Sequence, residues 1–177
     1  MLKNIVVVGS SNSDLIIKSD KIPQPGETVI GGQFYQAAGG KGANQAVAAA
    51  RAGGNVTLIA SIGNDVFGKE ALSGFKKDKI NNDHINVDKN EASSTALILI
   101  DKKGENSISV ASGANLKLSE SHISNAIDKI AGADVLLMQL EIPIKTVNAA
   151  ANIADAAGVK VILNPAPAQK LSDDLLK

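Results

Sequence analysis

Residues 38–54 read AGGKGANQAVAAARAGG, a glycine-rich segment followed directly by an alanine-rich one. Glycine allows backbone angles that are closed to other residues and lets a ligand approach bare N–H groups, so the first half predicts a loop. The second half, residues 44–52, consists mostly of strong helix formers and predicts a helix. Its start would present unpaired N–H groups, the Lys41 ammonium and the Asn44 carboxamide to one point. We therefore expect a polar ligand site; the alternative is a glycine connector that only caps a buried helix.

The composition is typical of a soluble globular protein, with 44% hydrophobic and 20% charged residues. Eighteen basic residues balance eighteen acidic ones, so neither a nucleic acid nor a membrane surface is an expected partner. Cysteine is absent, which excludes disulfides and thiolate metal sites and favours a cytoplasmic location. His84 and His122 have no partner at ligand spacing, so we predict no metal site.

Predicted strands and helices alternate along the chain. Continuous apolar runs predict strands buried on both faces, as in a parallel sheet, and helical periodicity predicts amphipathic helices between them. The predicted strands are Asn4–Gly9, Asn55–Ser61, Asp134–Leu140 and Val159–Leu163, and the predicted helices are Asn44–Ala52, Val66–Lys79, Ser119–Ala131 and Lys145–Ala157. With right-handed crossovers, this order predicts one α/β domain over residues 1–177, a Rossmann-like three-layer α/β/α parallel sheet.

Two segments, about 15–38 and 84–112, do not follow this alternation, and we expect them to form a small separate β-sheet. Their predicted strands are Leu15–Lys18, Glu27–Tyr35, Thr95–Ile100 and Ser107–Ala111. The last residues, 171–177, begin an amphipathic turn, and a doubly wound sheet ending there would leave apolar surface uncovered. We therefore expect the chain to be the truncated front part of a longer protein.

Polar side chains follow the predicted strands at their carboxyl ends, where open parallel sheets bind ligands. Asn12 and Asp14 follow the first strand, although a simple polar turn would also explain them, and Glu141 follows the strand that ends at Leu140. Together with Lys41 and Asn44, these groups supply both hydrogen-bond donors and acceptors. Such a mixture suits the hydroxyls of a neutral sugar better than an anion or a base.

Residues 63–69 match the phosphate-binding pattern G-x-x-x-x-G-K between a predicted strand and helix. The next residue is Glu70, where that motif needs Ser or Thr for magnesium, and a carboxylate there would repel phosphate. The sequence therefore argues against a P-loop NTPase.

Six blocks of the sequence resemble the ribokinase family of sugar kinases, which includes adenosine kinase and fructokinases. The blocks are VVVGSSNSDLI (6–16), IPQPGETVIGGQFYQAAGGKGANQAVAAARAGG (22–54), IASIGNDVFG (59–68), GENSISVASGAN (104–115), LLMQLEIP (136–143) and LNPAPA (163–168). They occur in order over nearly the whole chain, and they are closer to the ribokinases than to the other members.

The resemblance implies ATP-dependent phosphorylation of D-ribose at its 5-hydroxyl, giving ribose 5-phosphate, with Mg²⁺ and a monovalent cation, K⁺, as cofactors beside ATP. It also implies that the small β-sheet is a lid over the sugar and pairs with a second subunit's lid in a homodimer. The residues that it implies for ribose binding are Asn12, Asp14, Gly40, Lys41, Gly42, Asn44 and Glu141. Val110 corresponds to an apolar lid residue that reaches toward the partner's sugar site.

The chain also departs from the family pattern. No N-x-x-E motif follows LNPAPA, and no G-A-G-D loop supplies the catalytic aspartate. We therefore assign no catalytic residue and expect the 177-residue chain to be inactive alone. Two alternatives stay open: a stand-alone sugar-binding or lid-mediated interaction module derived from a kinase, and a related kinase for another sugar or a nucleoside.

Overall fold

The computed structural model describes residues 2–176, which form two β-sheets flanked by helices. The strands are β1 (Asn4–Val8), β2 (Asn12–Lys18), β3 (Gln33–Gly39), β4 (Asn55–Gly63), β5 (Ile85–Asp88), β6 (Ser94–Ile100), β7 (Asn106–Ala111), β8 (Val135–Met138) and β9 (Lys160–Leu163). The helices are α1 (Lys41–Arg51), α2 (Val66–Lys77), α3 (Glu120–Ser124), α4 (Ile127–Ala131), α5 (Ile144–Ala156) and α6 (Asp173–Leu176), with a 3₁₀ helix at Gly113–Lys117. No helix among these residues is long and apolar enough to cross a membrane.

The larger sheet is parallel, with strand order β5-β4-β1-β8-β9. Side chains of β1 alternate between two apolar cores, because successive residues of a strand point to opposite faces. Val6 and Val8 pack with α3, α4 and α5 on one face, and Val7 packs with α1 and α2 on the other. Helices therefore cover both faces, and the predicted three-layer α/β/α fold is confirmed.

The smaller sheet has strand order β3-β2-β6-β7 and stands outside the three layers. β2 pairs antiparallel with β3 and parallel with β6, and β6 pairs antiparallel with β7. Both of its faces expose large apolar side chains, including Tyr35, Ile108 and Val110 on one face and Phe34 and Leu97 on the other. A second small sheet was predicted, and it is present.

The strands of this smaller sheet differ in extent from the prediction. β2 begins at Asn12 rather than Leu15, and β3 runs from Gln33 to Gly39 rather than from Glu27 to Tyr35, because the two strands pair without a break from Lys18 opposite Gln33 to Asn12 opposite Gly39. β5 lies within the segment that we expected to leave the main alternation, but it pairs with β4 in the larger sheet. The smaller sheet therefore takes only residues 94–111 from the second segment.

Two helices also begin or end differently from the prediction. α1 begins at Lys41 instead of Asn44, so the predicted glycine loop shrinks to the single residue Gly40 between β3 and α1. The helix predicted over residues 119–131 is two short helices, α3 and α4. At the end of α3 the Ser124 hydroxyl donates to the Glu120 carbonyl, a side-chain bond of the kind that bends or ends helices.

Candidate functional site

The carboxyl end of β1 lies at the point where the order of the larger sheet reverses. From β1 the chain proceeds to β4 and β5 on one side, while β8 and β9 lie on the other. Open α/β sheets bind ligands in the crevice at such a switch point, just beyond the carboxyl ends of the strands. The segments that meet here are the exit of β1, the exit of β8 and the first turn of α1.

Glu141, just after β8, binds the first turn of α1 across one hundred positions of sequence. One oxygen, Oε2, accepts from the Lys41 backbone N–H at 2.9 Å and from the Ser10 hydroxyl at 2.6 Å. The other oxygen, Oε1, lies 3.5 Å from the Lys41 ammonium. The cap residue of α1 is Gly40, which has no side chain to accept from the helix, so Glu141 supplies the missing acceptor.

The N–H groups at the start of α1 are all satisfied inside the protein. The Gly42 N–H donates to the Ser10 hydroxyl at 3.2 Å, and the Ala43 N–H donates to the Ser10 carbonyl at 2.8 Å. The prediction that these groups face a ligand unpaired was therefore wrong. The reason is tertiary: Ser10 and Glu141 reach the helix start from two strands of the sheet.

Gly40 and Gly42 allow the close approach that these bonds need. Gly40 has φ +90°, and a Cβ there would lie 2.7 Å from the Asn12 nitrogen. A Cβ on Gly42 would lie 2.5 Å from the Ser10 nitrogen and 2.8 Å from the Gly9 Cα. Only glycine fits at these two positions, so Gly40 and Gly42 are needed for α1 to pack closely against the exit of β1.

Asp14, on β2, faces the same crevice as Glu141. Burial raises the pKa of Asp14, and the negative charge of Glu141 raises it further. Gly39 on the neighbouring strand leaves room for this carboxylate, because a Cβ there would collide with it. Asp14, Lys41 and Glu141 thus form one cluster with two carboxylates and one ammonium.

The register of the smaller sheet aligns Val110 with Asp14. Asp14 pairs with Ala37 on one side and Ala96 on the other, and Ala96 pairs with Val110. Residues directly opposite one another across a sheet share a face. Val110, which is 50% exposed, therefore lies on the same face as Asp14.

Asn12 is buried at the start of β2 and is held by a residue that sequence reasoning missed. Its Oδ1 accepts from the Asn115 side-chain nitrogen at 2.8 Å. Asn115 Oδ1 in turn accepts from the Ser11 backbone N–H at 3.0 Å. Asn115 ends the GENSISVASGAN block, and this was its only signal in the sequence. Ser10 was missed as a site residue for a similar reason, since it is one polar residue among several after β1.

Asn44 lies one turn of α1 beyond Lys41. With Asn12 and Gly39 it lines a cavity of about 580 Å³ between β3 and the helices α1 and α2. Gln36 donates to Glu70 across this cavity at 2.6 Å. Asp14, Lys41 and Glu141 do not line it. We take the crevice that holds these three residues as the candidate site, because charged groups converge there at the switch point.

The N-terminus of α2, within the G-x-x-x-x-G-K pattern, already holds a carboxylate. Asp65 Oδ1 accepts from the Gly68 N–H at 2.8 Å and from the Ser93 hydroxyl at 2.7 Å, and Oδ2 accepts from the Ser93 N–H at 2.7 Å. A phosphate would meet this negative charge, so the segment is a capped helix start at the base of the small sheet. Within residues 2–176, no cluster of three or more His, Cys, Asp or Glu side chains could hold a metal ion.

Comparison with known proteins identifies the family. Residues 2–177 match the pfkB family carbohydrate kinase. The chain is 49% identical over 176 residues to a ribokinase of Haemophilus influenzae and 42% identical over 179 residues to one of Schizosaccharomyces pombe, and the matches cover 99% and 98% of this chain. The solved structure of Arabidopsis thaliana ribokinase complexed with ribose and ATP superposes with a TM-score of 0.88 at 30% identity over 99% of this chain.

The matches span 58% of the Haemophilus relative, 56% of the Schizosaccharomyces relative and 58% of the Arabidopsis chain. The fold, the order of the motifs and these relatives agree with one another over the length of the chain. The chain belongs to the pfkB family of carbohydrate kinases.

Proposed function

We propose that the protein carrying this chain phosphorylates D-ribose at the 5-hydroxyl with ATP and forms ribose 5-phosphate. The observation that carries the proposal is the cluster of Asp14, Lys41 and Glu141 at the switch point of the larger sheet. The similarity of the chain to ribokinases supports it. The N–H groups of the first turn of α1 are already hydrogen-bonded within the protein, so the start of this helix does not form an anion-binding site. Hydroxyl groups, which both donate and accept, match the carboxylates and the ammonium that remain.

In this proposal the chain positions the sugar for reaction. Asp14 and Glu141 accept from ribose hydroxyls, and Lys41, Asn12 and Asn44 donate to them. Gly40 and Gly42 let the backbone approach the sugar closely. Phosphoryl transfer depends mostly on such positioning and on charge stabilisation, and a lid that closes over the sugar keeps water from the transferred group.

ATP, Mg²⁺ and K⁺ are the cofactors that this activity requires. ATP supplies the phosphoryl group when bound. We assign neither the metal ions nor the nucleotide to residues of this chain.

The proposal includes a homodimer formed through the small sheet, with Val110 directed to the partner's sugar site. The apolar side chains Tyr35, Ile108 and Val110, each about half exposed on the face that carries Asp14, support this. A cytoplasmic location fits the absence of cysteine.

An assay of the complete gene product tests the function. We expect ADP release that depends on D-ribose, and ¹³C and ³¹P NMR of the product should show phosphate on O5. Ribose binding by calorimetry without turnover would indicate a sugar-binding module instead. Faster turnover or stronger thermal stabilisation with a nucleoside or another sugar would indicate a related kinase.

A further inference from the structure

Asn115 and Asn12 form a buried pair of carboxamides at the base of the small sheet. Asn115 is 2% exposed and Asn12 is 9% exposed. Asn115 lies in the 3₁₀ helix just after β7, whereas Asn12 begins β2. The pair therefore joins the two segments from which the small sheet is built.

The hydrogen bonds fix which way each carboxamide points. A backbone N–H can only donate, so the Asn115 atom 3.0 Å from the Ser11 nitrogen must be its carbonyl oxygen. The Asn115 amino group then points to Asn12 and requires an acceptor, which is the Asn12 oxygen at 2.8 Å. The orientation of both amides follows from one unambiguous donor.

We infer that Asn115 is a positioning residue that fixes Asn12 as a hydrogen-bond donor toward the sugar. The inference rests on the proposed function, in which Asn12 contacts ribose. The Asn12 oxygen is turned toward Asn115, so the amino group of the same carboxamide points away from Asn115 and is the group that Asn12 offers to the ligand. The ionised carboxylates of Asp14 and Glu141 can only accept.

Asn12 and the two carboxylates therefore have different roles: Asn12 donates to the sugar, whereas Asp14 and Glu141 accept from it. A sugar hydroxyl can accept from the Asn12 amino group while it donates its own proton to a carboxylate. A substrate atom that cannot accept at that position would leave the fixed donor unpaired, which is costly in a buried site. Asn115 thus contributes to sugar specificity without touching the sugar.

The test compares wild type with Asn115→Asp in the complete gene product. The aspartate still accepts from the Ser11 N–H but cannot donate to Asn12, so Asn12 is free to turn its oxygen toward the ligand. Calorimetry measures the affinity for D-ribose and for its 2- and 3-deoxy and deoxyfluoro analogues. Fluorine in place of a hydroxyl accepts weakly and never donates, so the ratio of fluoro to deoxy affinity reports a donor on the protein.

In wild type we expect a fluoro analogue at one position to bind at least about threefold more tightly than its deoxy counterpart, and Asn115→Asp should abolish this preference. Ser93→Ala is the control, because Ser93 also lies at the base of the small sheet but bonds to Asp65 and not to Asn12. It should leave the ratio of fluoro to deoxy affinity unchanged. Ribose binding with the same ratio in Asn115→Asp would overturn this inference alone. Failure of the wild type to bind ribose would overturn the proposed function together with it.

A measurement on unliganded wild type covers the case in which Asn115→Asp does not fold. In ¹⁵N NMR the side-chain amide protons of Asn115 should exchange slowly with solvent, because the amino group is buried and donates to Asn12. Fast exchange of these protons would overturn the inference, since Asn12 would then not be held.

Discussion

At the scale of single residues, the carboxylate of Glu141 does two things at once. Its Oε2 completes the start of α1, and its Oε1 stays near the Lys41 ammonium at the open side of the crevice. The first task explains why a cap glycine is tolerated at Gly40. The second leaves one carboxylate oxygen with free lone pairs for a ligand.

Replacing Glu141 separates these two tasks. Glu141→Gln keeps one oxygen for the Lys41 N–H but loses the charge, so we expect ribose affinity to fall about tenfold with little loss of stability. Glu141→Ala also leaves the Lys41 N–H and the Ser10 hydroxyl without their acceptor, which should cost about 1–3 kcal/mol of unfolding free energy. Calorimetry and chemical denaturation measure the two effects.

Glu70→Gln is the matched control for Glu141→Gln, because Glu70 lies behind the small sheet and accepts from Gln36 across the cavity. Ribose affinity should stay within about twofold of wild type in this variant. A larger loss in Glu70→Gln than in Glu141→Gln would indicate that the sugar binds in the cavity and not in the crevice.

Asp14→Asn should affect stability and binding in opposite directions. Burial, and then the charge of Glu141, raises the pKa of Asp14 above its unfolded value. The folded state therefore holds the Asp14 proton more tightly, so this residue lowers stability once the pH is above the raised pKa, and the penalty disappears as the pH falls below the unfolded value. Asparagine carries no charge, so the sugar-free variant should melt slightly higher than wild type at neutral pH and lose this advantage in acid.

Ribose affinity should nevertheless fall about tenfold in Asp14→Asn, because a neutral amide replaces the charged acceptor. Thermal melts across a pH series and calorimetry check both expectations. A variant that melts lower than wild type at neutral pH would show that the carboxylate is stabilising and would contradict the assignment of its environment.

At the scale of elements, Asp65 joins helix α2 to the small sheet. It caps α2 through the Gly68 N–H and holds Ser93, the residue before β6, by its N–H and its hydroxyl. Burial raises the pKa of Asp65, but these hydrogen bonds outweigh it and leave the pKa below its usual value. The second segment of the small sheet is thus tied to the body of the protein at one carboxylate.

Asp65→Ala should destabilise the protein by about 2–3 kcal/mol, since it removes a helix cap and two further bonds. Because the folded pKa lies below the unfolded one, the stability supplied by the charge is present above the unfolded pKa and is lost as the pH falls through the folded pKa. Denaturation of wild type, Asp65→Ala and Asp65→Asn over a pH series measures this. Asp65→Asn can still accept from Gly68 and serves as the uncharged control.

The difference in stability between wild type and Asp65→Asn should shrink as the solution becomes acidic. A difference that stays constant across the acid range would show that the charge of Asp65 contributes nothing to folding. A loss in Asp65→Ala no larger than that of an exposed surface substitution would contradict the role of Asp65 as a junction.

The sequence predicted elements well where their signal is local. Asn4–Val8 and Asn55–Gly63 are strands, as expected for short, mostly apolar runs that suit a sheet covered on both faces. The boundaries of β3 and α1 could not be predicted, because alanine and glycine at residues 37–40 suit a strand, a loop or a helix start. Pairing with β2 and the acceptors Ser10 and Glu141 decide the outcome there.

At the scale of the whole molecule, the fold gathers groups that are distant in sequence. Motif positions after the strands predicted that Asn12, Asp14, Lys41, Asn44 and Glu141 lie together. The structure joins Lys41 with Glu141 and brings Asp14 toward Glu141, while Asn12 and Asn44 line the neighbouring cavity. The pairing of Asn12 with Asn115 was not predictable, because it depends on how the two segments of the small sheet meet. Such long-range polar contacts leave no periodic pattern in a single sequence.

The final prediction concerns dimer formation through the small sheet. Val110 and Leu97 are on opposite faces of this sheet, and their exposures are similar, at 50% and 56%. If two copies associate through the face that carries Asp14, Val110→Asp places charges in an apolar interface and should convert a dimer of the complete gene product into monomers. Leu97→Asp adds the same charge to the other face and should leave the dimer intact.

Analytical ultracentrifugation over a range of protein concentrations measures this directly. Because the proposed function directs Val110 to the partner's sugar site, ribose affinity should fall together with dimer formation in Val110→Asp and remain unchanged in Leu97→Asp. Dissociation by Leu97→Asp alone would show that the dimer uses the opposite face. A wild type that is monomeric at every concentration would refute the proposed dimer, and the apolar face of the small sheet would then act within one subunit, as a cover for the sugar beside Asp14.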